Sequence, residues 1–267
     1  MEAGLSSVID RALESGKITG VVVLVHRNGE PVYRRAAGLA DREAGIPVTF
    51  DTIFRMASVT KPIVAATALA MVERELLALA DPVARYLPWF RPPLADGSVP
   101  EITIHHLLTH TSGLMYDPAL EQLPAGRRIT MGLSDTDFGF EENFSRHNRI
   151  PLAFRPGTQW AYSFATDILG AAIAAVHGGT LEDAVVHYIA GPLGMADTRF
   201  HVTDPARLAA ARVPLSSVRF RFRSACRIRG PAKIPRAGRR HSRRTGSSTR
   251  KPSNPAAPGW QARPATS

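Results

Sequence analysis

Apolar residues near the start of the chain fall at Leu5, Val8, Ile9 and Leu13 with polar residues between them, and Gly16 follows, a spacing that predicts a short helix stopped at the glycine. The period then changes from helical to β. Gly20 to Arg27 and Pro31 to Ala36 are two β-rich runs separated by Asn28-Gly29, the strongest short signal for a hairpin. Two strands alone are marginal, so further strands or a helix must cover them. Ile63 to Leu77 is rich in Ala and Leu, without Gly or internal Pro, and predicts a buried helix with Pro62 in its first turn. Ile102 to Gly113 predicts a short helix ending at Gly113, Ser163 a cap for a helix running through Asp167, Ile168, Leu169, Ile173 and Val176, and Leu181 to Ala190 another helix. Leu79 to Pro88 is a loop sequence. Residues 115–150, with few long apolar runs and much Gly, Asp and Arg, form a poorly specified, lid-like insertion.

The mouth of the Ile63–Leu77 helix carries the candidate chemistry. If its first turn begins at about Ser58, then Ser58 and Lys61 stand three residues apart on one face. A lysine desolvated by an apolar wall takes a proton from a neighbouring hydroxyl, which makes serine a nucleophile. The unpaired N–H groups of the helix start add donors for a developing oxyanion. The spacing alone is weak, because about one such match arises by chance in a chain of this size. Ser248 and Lys251 supply a second match, with no helix or apolar wall around it. The plain alternative for Ser58 is a helix cap, with Lys61 solvated in the first turn. Tyr162, just before a helix start, is a candidate second proton-transfer group or else a packed aromatic. His106 and His110, four apart, have zinc-ligand spacing, but no glutamate lies between them and no third ligand is evident, which favours a structural role.

Charge divides the chain. Residues 1–204 hold 17 Lys and Arg against all 23 Asp and Glu, whereas residues 205–267 hold 16 Lys and Arg and no acid, so the pI near 10.6 describes a tail rather than a body. The single cysteine, Cys226, excludes an internal disulfide and a cysteine-based metal knuckle. The N-terminus has no basic stretch leading into an apolar run, and nothing approaches a membrane span, so a cytoplasmic location is expected.

Taken in order, the hairpin, Phe54 to Lys61, His106 to Leu114, Pro156-Gly157 with Trp160 and Tyr162-Ser163, and Pro192 to Met195 resemble the β-lactamase-related serine hydrolases. That group joins class C β-lactamases, D-Ala-D-Ala carboxypeptidases and family VIII carboxylesterases. The resemblance implies an α/β (α+β) fold in which an antiparallel sheet flanked by helices packs on a helical lobe, with the site between them. It implies Ser58 as acyl-accepting nucleophile with its N–H in the oxyanion hole, Lys61 as its proton partner, Tyr162 as the phenol that shares the proton, and no metal or organic cofactor. The substrate would be a small ester or amide. Phe164 stands where lactamase and carboxypeptidase members carry an amide-binding Asn, which places the chain nearer the esterase branch.

The boundary falls at residue 212: 1–212 reads as an incomplete hydrolase domain, and 213–267 as a disordered tail. The tail has 12 Arg, 2 Lys, 7 Pro and eight large apolar residues, and it shows no third motif bearing the second oxyanion N–H. This composition is what a coding sequence read out of frame after codon 212 would give, with C-terminal strands missing and activity impaired. The competing readings are a non-catalytic remnant of the fold, and a basic-tailed polyanion binder acting through residues 213–267 without specific nucleic-acid recognition.

Overall fold

In the computed structural model, which describes residues 2–121, 129 and 138–210, all within the unit Met1–Ala232, Asn28 and Gly29 both take left-handed backbone (φ 53° and 84°). That turn matches the twist of the strands it joins. β1 (Gly20–Arg27) therefore returns as β2 (Glu30–Asp41), five residues longer than the sequence pattern required at its far end, with Gly20 opposite Gly38 and Val25 opposite Tyr33. A two-residue strand, β3 (Ile46–Pro47), pairs antiparallel on β2, giving the order β1-β2-β3.

The first helix, α1 (Glu2–Glu14), lies against β2 through a 2.9 Å hydrogen bond between the Ser6 and Tyr33 hydroxyls. Arg35 adds a 3.0 Å bond to the Ser6 carbonyl and an ion pair with Asp10. Gly38 makes the approach possible. Its φ is +80°, and a Cβ there would stand 2.3 Å from the Thr19 carbonyl oxygen and 2.7 Å from a Leu13 methyl.

The larger core belongs to the helical lobe. α2 (Thr60–Glu73) buries Val64, Thr67, Ala68 and Met71 against α6 (Ala165–His177), whose Ile168, Leu169, Ala172 and Ile173 are all inaccessible. α3 (Ile104–Leu108), α5 (Phe140–Phe144) and α7 (Leu181–Val185), which runs on into a π-helical turn Val186–Ala190, complete the lobe, and α4 (Pro118–Glu121) precedes residues outside the description.

Several expectations change. α2 ends at Glu73, not Leu77, because Glu75 turns left-handed (φ 57°), and it is buried along one face only, with Leu69 exposed. α3 ends at Leu108 rather than Gly113: Thr109 caps it, and His110 takes φ 56°. Ser163 is not the N-cap of α6; Phe164 is, although the Ser163 hydroxyl still accepts the Ala165 N–H at 3.2 Å. The stretch Leu79–Pro88 contains a 3₁₀ turn, Val83–Arg85, that sends Val83 and Leu87 into the core. The expectations for residues 213–267, Ser248 and Cys226 among them, and for most of 122–137 lie outside the described residues.

Candidate active site

The segment before Ser58 is tied down by distant chain. Ile53 and residues 207–209 exchange backbone hydrogen bonds of 2.8 and 2.9 Å, and Arg55 donates to the Ala209 carbonyl at 2.8 Å. Arg207 in turn donates to the Asp51 carbonyl at 2.9 Å and pairs with Asp197 at 2.6 Å. Against this anchor Ala57 is forced to φ 44°, a left-handed conformation that costs a residue with a Cβ on the order of 1–3 kcal/mol and persists only where its surroundings impose it. The chain then enters a 3₁₀ turn, Ala57–Val59, that leads into α2, and Pro62 fits the first turn of α2. Ser58 thus stands in the opening turn of the helix, where N–H groups lack helical acceptors.

From here Lys61 Nζ donates to Ser58 Oγ at 3.2 Å. The N-cap positions here are Met56 and Val59, neither with a side-chain capping bond, and Ser58 lies between them. Ser58 is exposed and Lys61 half-buried, and the wall beside the lysine is aromatic: its ammonium lies 4.9 Å from the centre of the Tyr162 ring. Tyr162 is 44 % exposed, and the adjacent Lys61 amine and then the Ser58 hydroxyl hold its phenol below the ordinary tyrosine range. The three candidate residues therefore meet, although Tyr162 comes from the far side of the sequence.

Three further residues face them. Asp167, half-buried on the first turn of α6, has its carboxyl pushed up to about 6 by burial, a rise that the Lys61 charge opposes. Tyr116, its ring 5.8 Å from that of Tyr162, is held well above the ordinary range by burial and by the charges of Asp167 and Tyr162. Two phenols side by side are thus driven in opposite directions, one toward ionisation and one away from it. His110, its ring 5.1 Å from that of Tyr162, is held below the usual histidine range by burial and by Lys61. The motif containing His110 and the run containing Asp167 were both visible in the sequence. A half-buried carboxyl has no local signature, however, and only folding brings it to Lys61.

The zinc spacing of His106 and His110 does not survive, since the helix that would align them ends between them. His106 Nδ1 accepts the Thr103 N–H at 3.2 Å in a capping box, and His110 Nδ1 faces the Ser163 hydroxyl at 3.4 Å. Among the described residues no group of three or more His, Cys, Asp or Glu is placed to hold a metal ion, and no single helix is long and apolar enough to cross a membrane. Phe164 also differs from expectation. Its ring does not line the site but is 1 % exposed in the core, stacked on Phe144 at 5.7 Å and against His147 at 4.4 Å.

The sequence is 50% identical over 213 residues to Esterase EstB of Burkholderia gladioli, covering 78% of this chain and 54% of that protein. It is 31% identical over 230 residues to Lovastatin esterase of Penicillium rubens, covering 79% and 56%. Among solved structures, EstCE1, a hydrolase with promiscuous acyltransferase activity, superposes with a TM-score of 0.72 at 41% identity, over 77% of this chain and 55% of that one. The chain spans about half the length of the curated relatives it matches. The antiparallel sheet packed on helices beside a helical lobe is the β-lactamase/transpeptidase-like fold. The Beta-lactamase family model matches residues 5–257, and with this agreement of sequence, fold and motif order the chain belongs to the β-lactamase family of serine hydrolases and their relatives.

Proposed function

We propose that this chain is a serine hydrolase of small esters that works through an acyl-enzyme on Ser58. The observation that carries the reading is the 3.2 Å contact from Lys61 Nζ to Ser58 Oγ beside a phenol shifted toward ionisation. Ser58 Oγ attacks the acyl carbonyl carbon while its proton passes to the Lys61–Tyr162 pair, the carbonyl π-electrons moving onto oxygen. The Ser58 N–H, at the helix start, stabilises that oxyanion. Collapse expels the alkoxide, which takes the proton back through Tyr162, and a water activated by the same pair releases the acid.

Esters are preferred over β-lactams and D-Ala-D-Ala peptides because the place two residues after Tyr162 holds Phe164, an apolar ring without hydrogen-bonding groups, and that ring is buried in the core. The names of similar proteins point the same way, toward esterases and acyltransferases. Residues 213–267, read as a tail without a third motif, would leave the oxyanion one N–H short, a loss of about 10²–10³ in rate. The serine would then be reactive while turnover stays low.

The test compares a short-chain aryl ester with a chromogenic cephalosporin on the full chain and its Ser58→Ala variant. Ser58-dependent ester hydrolysis with little or no cephalosporin turnover is the expected result. Faster cephalosporin than ester turnover, or ester turnover unchanged by Ser58→Ala, defeats the proposal.

A further inference from the structure

One loop residue touches all three positions around the candidate phenol. The carbonyl of His110 accepts the N–H of Ala161 at 3.0 Å, its Nδ1 lies 3.4 Å from Ser163 Oγ, and its ring packs 5.1 Å from the ring of Tyr162 between them. The loop is fastened at both sides of this contact. Gly157 N–H donates to the Thr111 carbonyl at 2.8 Å and Ala153 N–H to the Gly113 carbonyl at 2.9 Å, so residues 110–113 run zipped along 153–161. His110 itself sits at φ 56°, a conformation a β-carbon-bearing residue adopts at a cost.

The hydrogen bonds assign the tautomer. Ser163 is fully buried, and its oxygen already accepts the Ala165 N–H at 3.2 Å. A buried hydroxyl proton needs an acceptor, and His110 Nδ1 is the acceptor within reach among the described residues. Nδ1 is therefore unprotonated and the ring carries its proton on Nε2. A neutral ring also fits the position beside Lys61, where a second positive charge would be repelled.

We propose that His110 is a positioning residue for Tyr162: as the neutral Nε2–H tautomer it grips the residues before and after the phenol and the ring itself, and so fixes the phenol oxygen beside Lys61. The inference rests on the reading of Tyr162 as the group that shares the Ser58 proton, but its geometry can be tested apart from that reaction. Charged or titratable groups facing the same ring cluster are Lys61 from α2, Tyr116 from the loop before α4, and Asp167 from α6.

The test is an ultraviolet difference titration of the full-length protein against its Tyr162→Phe variant, which isolates the Tyr162 phenol, repeated in the His110→Ala, His110→Asn and Ser163→Ala backgrounds, with thermal unfolding to establish that each variant folds. In the parent the phenol should ionise below the ordinary tyrosine range. His110→Ala and Ser163→Ala should return it toward the ordinary value, whereas His110→Asn, which tolerates left-handed backbone and keeps a side-chain acceptor for Ser163, should retain most of the depression. In parallel, fluorophosphonate labelling of Ser58 should slow about tenfold to a hundredfold in His110→Ala, the scale of an ångström's misplacement, and be largely restored in His110→Asn. An unchanged phenol in folded His110→Ala or Ser163→Ala, or an asparagine variant no better than alanine, overturns the proposal. If the parent serine is not labelled at all, the hydrolase reading fails, and the phenol titration still decides the role of His110.

Discussion

Replacing Gly113 by alanine should destabilise the protein far more than the same change at Gly45, although both glycines have left-handed backbone, with φ +86° and +66°. At Gly45 a Cβ meets nothing within 4 Å, so the cost is the left-handed penalty of roughly 1–2 kcal/mol, less about 0.4–1 kcal/mol gained by restricting the unfolded chain. At Gly113 the same Cβ would stand 2.3 Å from the Phe154 carbonyl oxygen and 3.1 Å from Leu152 Cβ. Both belong to the segment that Gly113 holds through the Ala153 N–H, so relief of the clash means moving backbone by several tenths of an ångström and straining that bond. A buried polar group left unsatisfied adds about 1–3 kcal/mol. The sum is roughly 1–4.6 kcal/mol at Gly113 against about 0–1.6 kcal/mol at Gly45, and because the backbone terms are common to both, the difference is about 1–3 kcal/mol. For a domain of this size each kcal/mol lowers the melting temperature by about 2–4 °C, so Gly113→Ala should melt roughly 2–12 °C below Gly45→Ala. Circular dichroism melts of the three proteins measure it directly. A Gly113→Ala melting point within about 2 °C of that of Gly45→Ala would refute the close approach of the two segments, and with it the zipped loop that carries His110.

Removing the amine should also be visible: Lys61→Ala is expected to slow fluorophosphonate labelling of Ser58 by about 10²–10⁴, the usual contribution of a positioned base, and labelling within threefold of the parent would exclude Lys61 from that role. Asp167 gives a pH prediction. Its folded carboxyl titrates at about 6, above its unfolded value, so its contribution to stability is fully present below about pH 4 and lost as the pH rises through 6. Asp167→Asn should therefore raise stability at pH 8 by roughly 1–3 kcal/mol and change it little at pH 4, as read from urea midpoints; a variant less stable than the parent at pH 8 would contradict this. Cutting the Arg35 links to Ser6 and Asp10 with Arg35→Ala should loosen α1 from β2, seen as faster amide exchange across residues 2–14 while exchange in α6 is unchanged; equal protection in both proteins would show that the helix is held by other contacts.

How far the sequence reached depended on whether the signal was local. The hairpin was legible because Asn28-Gly29 can occupy left-handed backbone side by side, and the Ser58–Lys61 pair because one helical turn separates them. Gly113 reads as a helix stop in the sequence for a physical reason: a glycine with positive φ serves equally as a cap or as a gap for another segment, and only the fold shows Phe154 filling that gap. The desolvating wall expected around Lys61 is an aromatic ring from residue 162, which periodicity near Lys61 cannot foretell. The place of Phe164 after the tyrosine suggests a ring at the site, yet its backbone at the start of α6 turns the ring into the core. Asp167 and Tyr116 carry no local signal, and His110 carries only its spacing to His106, because each owes its environment to segments far away in the chain.

Whether Ser58 is the nucleophile is decided by peptide mapping with mass spectrometry after treatment of the full chain with a fluorophosphonate. A single adduct on Ser58, absent from Ser58→Ala, is the expected result. An adduct on Ser248, or on no serine, would contradict it.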